Sequence, residues 1–151
     1  MDLTPFESEI LDSILWQVEG FKIGRVTQRA TTLILRATLR RIQPRLIARS
    51  QAADVDNDRE VDHAIPVHVL CGRILETSDL DRSKLETILD EWLVTVELTA
   101  SEHCEVLPKC GLASRMPPDW DGADPLARYR AAGISLLEIP EGGRLTENAH
   151  F

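Results

Sequence analysis

An acid and a histidine stand side by side in the stretch Val61 to Pro66, which reads Val-Asp-His-Ala-Ile-Pro. Histidine is the side chain whose ordinary pKa lets it take a proton from water near neutral pH. A second histidine, His103, follows further along the chain, behind a strand-like run. Chemistry at Asp62 and His63 is therefore the first hypothesis, and it depends on whether His103 meets them. The plainer alternative for such a pair is a surface acid beside a hydrogen-bonded histidine.

Two strands and one helix would position these residues. A short strand is expected near Val61, and the β-branched, alternating run Val94 to Leu98 predicts a second strand. Directly after it, Thr99 to Glu102 carry the signature of a capping box, in which the two end residues bond to each other's backbone amide. The box places His103 near the start of a helix that we expect to end before Pro108.

Helical patterns fill most of the remaining chain. Thr4-Pro5-Phe6-Glu7 predicts a capped helix start, and the spacing of the apolar residues from Phe6 to Val18 predicts one buried face. The pattern from Phe21 to Arg49 is again helical, broken or kinked near Pro44. Further helices are expected over Val67 to Glu76, over Leu80 to Trp92 and from Asp124-Pro125 to Gly133, with a last strand over Ile134 to Ile139.

These elements predict an α+β fold that is mainly helical. N-terminal helices are followed by a ββα core, and helices are inserted between the two strands of that core. At 151 residues the chain is expected to form a single domain. We divide it into an N-terminal helical part over 1–53, a core over 54–139 and a frayed tail over 140–151.

A strand ending in Asp62-His63, followed by a second strand and a helix bearing His103, resembles the HNH, or ββα-metal, endonuclease family. The resemblance implies that His63 is the general base and that Asp62 and His103 bind one divalent metal ion. Mg²⁺ or Mn²⁺ is the expected ion, with Zn²⁺ as an alternative. The family's asparagine ahead of the second strand is replaced here by Val94, and Asp90 is the nearby candidate to bind the metal or orient His63.

Small phage and bacterial proteins labelled HNH are also similar to this chain over about residues 58–134. The residues that carry this resemblance are Thr99 to His103, Gly111-Leu112, Met116-Pro117, Trp120 and Ala127 to Ile134. The resemblance implies hydrolysis of a nucleic-acid phosphodiester bond. That reaction needs a deprotonated water and a cation that neutralises charge on the leaving oxygen, which a histidine base and one metal ion would supply.

The formal net charge of −8 is unevenly distributed. Residues 1–20 carry five acids and no base, whereas residues 21–53 carry eight bases and no acid. If the second helix is continuous, one narrow stripe of it carries five basic residues: Lys22, Arg25, Arg29, Arg36 and Arg40. Such a stripe is suited to binding the DNA backbone. It is equally suited to lying in solvent or docking on acidic stretches of this chain or a partner.

A non-catalytic function on a degenerate HNH-like scaffold is the alternative hypothesis. An antitoxin, an immunity protein or a phage-encoded inhibitor of host defence would use its charged surfaces to bind a protein partner. The N-terminal helices would then serve for homodimerisation or partner docking. No apolar run predicts a membrane span, so a cytoplasmic protein without a membrane partner is expected. Cys71, Cys104 and Cys110 show no zinc-site spacing and are expected to be free, buried thiols.

Overall fold

The computed structural model describes residues 1–140, so the predicted tail and His150 lie outside the described residues, apart from residue 140 itself. The helices of the described part are α1 Pro5–Lys22, α2 Gln28–Leu39, α3 Gln51–Val55, α4 Val67–Glu76, α5 Arg82–Trp92, α6 Leu107–Lys109 and α7 Ala127–Ala131. A π-helical segment, Glu102–Val106, leads directly into α6. The strands are β1 Arg45–Ser50, β2 Arg59–His63, β3 Val94–Thr99 and β4 Leu136–Glu138. The predicted α+β class with mainly helical content is confirmed.

The chain forms two compact units. One comprises Met1–Gln43 and Val67–Glu91 and is helical, containing α1, α2, α4 and nearly all of α5. The other comprises, among the described residues, Pro44–Pro66 and 92–140, and it contains the sheet. Both units are therefore assembled from two separate stretches of sequence.

The first helix begins as its sequence predicts. Thr4 Oγ1 accepts from the Glu7 amide at 3.2 Å, and Glu7 Oε2 accepts from the Thr4 amide at 2.9 Å, which completes the capping box. The face of α1 that packs in the core carries four buried residues: Ile10, Leu11, Ile14 and Val18. Phe6 was predicted to join them but is 60% exposed, because it lies in the first turn at the edge of that face.

The helical prediction from Phe21 to Arg49 is wrong at two places. Gly24 adopts a φ of 77°, a conformation that ends a helix, and Thr27 then caps a new helix, α2. Arg45–Ser50 is the strand β1, so the N-terminal part over 1–53 is not wholly helical. The buried residues of β1 alternate with more exposed ones, which is the period of a strand. A simple hydrophobic pattern does not show this alternation, because apolar Ile47 lies at a more exposed position and polar Ser50 lies at a buried one.

The four strands form one sheet in the order β2-β3-β1-β4. β2 and β3 pair antiparallel, so that Asp62 lies opposite Val96 and His63 lies opposite Thr95. The helices α4 and α5 are inserted between these two strands, as predicted. β3 is buried along its whole length and pairs in parallel with β1 on its other side. The end of β2 is therefore held against the centre of the sheet.

The core of the sheet unit lies on the face of β3 that carries Val94, Val96 and Leu98. Its buried members are Ala48, Ala64, Val94, Val96, Leu98, Leu107, Leu112, Leu126, Tyr129 and Ile134. Gly133, with a φ of 74°, ends α7 as predicted, and the chain then enters β4, which is shorter than the predicted last strand. None of the described helices has the length and hydrophobicity that a membrane crossing requires.

Candidate functional site

The helix that follows β3 is fixed to the sheet by the predicted capping box. Glu102 Oε2 accepts from the Thr99 amide at 2.9 Å, and Thr99 Oγ1 accepts from the Glu102 amide at 3.1 Å. The same carboxylate oxygen accepts from the buried hydroxyl of Ser50 at 2.5 Å. The start of the helix is thereby joined to both β3 and β1, which determines where His103 lies.

Asp62 and His103 meet in the fold. The distance between Asp62 Oδ1 and His103 Nε2 is 3.5 Å. The Asp62 side chain is 11% exposed and that of His103 is 39% exposed. The carboxylate is therefore largely buried, and the imidazole lies between it and the solvent. The other ring nitrogen of His103, Nδ1, lies 3.7 Å from Cys104 Sγ. The sequence prediction that brought Asp62 and His103 together is consistent with this geometry.

A buried arginine, Arg128 of α7, forms an ion pair with the other oxygen of Asp62. The Arg128 side chain is 1% exposed, and its Nη2 donates to Asp62 Oδ2 and to the backbone carbonyl of His63. Its remaining donors reach further backbone carbonyls, those of Ala64 at 3.0 Å, Leu112 at 2.9 Å and Ala113 at 3.1 Å. A buried guanidinium is tolerated only when it is paired and its donors are satisfied, and here both conditions hold.

Tyr129 completes the shell around the Asp62 carboxylate. Its hydroxyl donates to Asp62 Oδ2 at 2.7 Å, and the Arg128 guanidinium carbon lies 5.0 Å from the centre of its ring. Burial, followed by the neighbouring carboxylate of Asp62, raises the pKa of the Tyr129 phenol well above its ordinary value. The phenol therefore stays neutral and serves as a hydrogen-bond donor.

Arg128 and Tyr129 are the members of this site to which the sequence assigned no role. The only signal was their place in the run Ala127 to Ile134, which carried part of the resemblance to proteins labelled HNH. Neither their burial nor their link to Asp62 has a local pattern. The link joins residues more than sixty positions apart and exists only after α7 packs on β2.

His63 and Asp90 are the other predicted members of the site. Asp62 and His63 are consecutive residues of a paired strand, so their side chains leave opposite faces of the sheet. Asp90 is an exposed residue of α5, in the helical unit. Within the sheet unit, the structure therefore brings Asp62 and His103 together and directs the His63 side chain to the other face of the sheet.

The side chains around Asp62 do not fit a divalent cation well. A metal ion would find one carboxylate oxygen of Asp62 and one imidazole nitrogen of His103, because the second carboxylate oxygen is taken by Arg128 and Tyr129. The buried positive charge of Arg128 would also repel a cation at the same carboxylate. Within residues 1–140, moreover, no three or more His, Cys, Asp or Glu side chains are grouped so that they could hold a metal ion. The donor set fits a guanidinium instead.

A second group of ion pairs, centred on the buried residue Glu97, lies on the opposite face of the sheet. Glu97 of β3 is 6% exposed and pairs with Arg49 of β1 and, at 3.5 Å, with Arg59 of β2. Arg49 also pairs with Asp54 at 3.1 Å. These contacts join three strands and α3, so we assign this cluster a structural role.

The predicted basic stripe does not lie on one continuous helix. Lys22 ends α1, where its ammonium donates to the carbonyl of Thr77 at 2.5 Å, and Arg25 lies in the turn that follows. The other three members, Arg29, Arg36 and Arg40, keep the predicted helical spacing along α2 and its C-cap, and all three are exposed. The basic stripe is therefore shorter than predicted and is limited to α2 and its C-cap.

The cysteines are free, as predicted, but only one of the three is buried. Cys71 lies in the core of the helical unit, where burial raises the pKa of its thiol to about 11. Cys104 and Cys110 are exposed, because the short helical stretch that carries them packs on the sheet through Leu107. The expectation that all three are buried is wrong for these two.

No family model, no curated protein and no solved structure matches this chain.

Proposed function

We propose that this protein is a non-catalytic interaction protein on an HNH-like ββα scaffold, in which Arg128 takes the place of the metal ion. The observation that carries the proposal is the ion pair between buried Arg128 and Asp62, reinforced by the Tyr129 hydroxyl. In the family that the sequence resembles, a carboxylate at this position is a metal ligand. Here the same carboxylate is already neutralised by a side chain of the protein.

In this proposal, Arg128 makes the structural connection that a metal ion would make in the family that the sequence resembles. A divalent ion would join the strand carboxylate to the helix that carries His103. Arg128 instead joins Asp62 to the backbone at the end of β2 and to the segment after α6, through carbonyls of His63, Ala64, Leu112 and Ala113. All the N–H directions of its guanidinium are used in this way.

The direction of the His63 side chain also argues against catalysis at Asp62. A general base must reach the water that it activates, within hydrogen-bond distance or through one water. His63, the predicted base, leaves β2 on the face opposite to Asp62. A water activated beside Asp62 and His103 would therefore lack the base that the family resemblance implies.

The test is nicking of a supercoiled plasmid in the presence of Mg²⁺ or Mn²⁺, comparing the parent with His63→Ala. We expect neither protein to nick the plasmid faster than the metal ion alone. Nicking by the parent that requires the metal and is lost in His63→Ala would overturn the proposal.

A metal-dependent endonuclease of HNH type, acting on DNA, is the second candidate. It is favoured by the 3.5 Å distance between Asp62 Oδ1 and His103 Nε2, since two ligands of one ion lie within roughly 5 Å of each other. For this candidate the exposed arginines of α2 would bind the DNA backbone. It requires Asp62→Asn to lose nicking as His63→Ala does, whereas the first candidate predicts no activity to lose.

A further inference from the structure

One face of α1, which we call the acidic face, carries carboxylates around an exposed tryptophan. It lies opposite the buried residues of α1 and spans an arc of about 80°. Its four exposed members are Glu9, Asp12, Trp16 and Glu19. Trp16 is 79% exposed, which is unusual for the largest apolar side chain. Asp12 accepts from Arg82 at 2.9 Å, whereas no ion pair of Glu9 or Glu19 occurs within residues 1–140.

One face of α2 and its C-cap, which we call the basic face, carries arginines around an exposed leucine. Its four exposed side chains lie within an arc of about 60°: Arg29, Leu33, Arg36 and Arg40. Leu33 is 70% exposed. Among the described residues, no carboxylate forms an ion pair with these three arginines.

The two faces point in different directions from the α1–α2 pair. These helices are antiparallel neighbours, since Gln17 Nε2 donates to Thr38 Oγ1 at 3.3 Å and Gly20 lies beside Val26. At about 100° per residue, the acidic face is centred about 90° around α1 from this contact, and the basic face is centred about 170° around α2 from Thr38. The acidic face therefore points perpendicular to the plane of the helix pair, whereas the basic face points outward within that plane. One further copy of the chain cannot cover both faces.

The charges of the two faces nevertheless match along the helix axes, in reverse order. At a rise of about 1.5 Å per residue, the acids lie about 10.5 Å and 6 Å before Trp16 and about 4.5 Å after it. The arginines lie about 6 Å before Leu33 and about 4.5 Å and 10.5 Å after it. If Trp16 of one copy packs on Leu33 of another with the helices antiparallel, three acids therefore fall beside three arginines: Glu9 beside Arg40, Asp12 beside Arg36, and Glu19 beside Arg29.

We propose that this chain assembles head to tail, with the acidic face of α1 in one copy packed antiparallel on the basic face of α2 in the next. The contact joins two different surfaces, so each copy binds two neighbours, one through each face. Because the two faces diverge by about 90°, each added copy is rotated by about 90° around the direction of the helices. The expected assembly is therefore a closed ring of about four copies.

Charge complementarity favours further copies of this chain over a nucleic acid. A phosphate backbone on α2 would satisfy the arginines, but it would leave Trp16 exposed, and the formal net charge of −8 would oppose its approach. Head-to-tail contacts satisfy the acids, the arginines and both apolar centres together. Tryptophan and arginine are also the residues that most often dominate the binding energy of protein interfaces.

The experiment is sedimentation velocity on the full chain over a series of concentrations. We expect a species of about four times the chain mass of 16.9 kDa. Trp16→Arg blocks the acidic face and should raise the dissociation constant of the contact by about thirtyfold or more. Arg36→Glu blocks the basic face, because it places a second carboxylate beside Asp12, and should raise that constant by about tenfold.

Mixing the two blocked variants tests the head-to-tail geometry itself. An equimolar mixture of Trp16→Arg and Arg36→Glu should form a species of about twice the chain mass and no larger. Each such pair contains one intact acidic face and one intact basic face, and its two ends are blocked. The same mixture shows that both variants are folded.

A charge exchange tests the predicted register of the contact. Glu9→Arg and Arg40→Glu should each weaken the assembly by about tenfold, and a chain that carries both substitutions should recover most of the affinity. Recovery is expected because the exchanged charges again lie beside each other in neighbouring copies.

Arg41→Glu is the matched control, because Arg41 is exposed and follows Arg40 directly but lies off the basic face. It should leave the mass distribution unchanged. A parent that stays a monomer or stops at two copies would overturn the proposal, as would salt-sensitive binding of duplex DNA to a monomer that is weakened by Arg36→Glu. The assembly is measured by mass and the proposed function by plasmid nicking, so either can fail alone.

Discussion

Arg128 of α7 and Asp62 of β2 form a buried ion pair across 66 positions of sequence, and the guanidinium is 1% exposed. The pair joins the last helix of the described chain to the end of the strand that carries the predicted active-site residues. The ion pair occupies one oxygen of the carboxylate that the HNH resemblance would make a metal ligand. We therefore expect Arg128 to stabilise the fold through its contact with Asp62.

Replacing Arg128 should destabilise the fold strongly. Arg128→Met leaves the buried carboxylate of Asp62 without its counter-charge, and removal of one partner of a buried pair costs about 3–5 kcal/mol. Urea unfolding of the parent and the variant measures the difference. Arg130→Met is the matched control, because Arg130 is 54% exposed and its ion pair with Asp124 should be worth less than about 1 kcal/mol. Similar losses in the two variants would contradict a special role for Arg128.

Tyr129 gives a spectroscopic test of the same network, because it is the only tyrosine in the chain. Its raised pKa means that the folded protein keeps the phenol proton at a pH where the unfolded chain has lost it. Stability linked to Tyr129 is therefore fully present below the ordinary pKa of about 10 and declines as the pH rises above it. An absorbance titration should show tyrosinate only as the protein unfolds. Ionisation near pH 10 in the folded protein would contradict the buried contact.

The cysteines should divide into two classes of reactivity. Cys104 and Cys110 are exposed and should react quickly with a disulfide reagent in the folded protein. Cys71, whose pKa is raised to about 11 by burial, should react only when the protein unfolds. A count of released thiolate before and after denaturant measures this difference. Three equally fast thiols would show that the helical unit opens readily around Cys71.

The elements that carry Asp62 and His103 could be predicted because their signals are local. Strand alternation over Val94 to Leu98 and the capping box from Thr99 to Glu102 are readable from neighbouring residues, and both are present in the structure. Together with the order of the elements, they place His103 beside the antiparallel partner of β3. Local physical chemistry was sufficient for these elements, whereas the meeting of Asp62 and His103 was an implication of the HNH resemblance.

The role of Arg128 could not be predicted in the same way. Whether an arginine is buried depends on residues that reach it from other elements, here Asp62 and the carbonyls that surround it. The strand β1 was missed for a related reason. Apolar Ile47 at a more exposed position and polar Ser50 at a buried one obscure its alternation, and the evidence that it is a strand lies in its partners β3 and β4.

The most direct test of whether Arg128 replaces the metal ion is calorimetric titration of the parent with Mn²⁺, compared with Asp62→Asn. We predict that neither protein shows a saturable one-to-one binding event, because the Asp62 carboxylate is held by Arg128 and Tyr129. One-to-one Mn²⁺ binding by the parent that disappears in Asp62→Asn would contradict the account and restore Asp62 as a metal ligand.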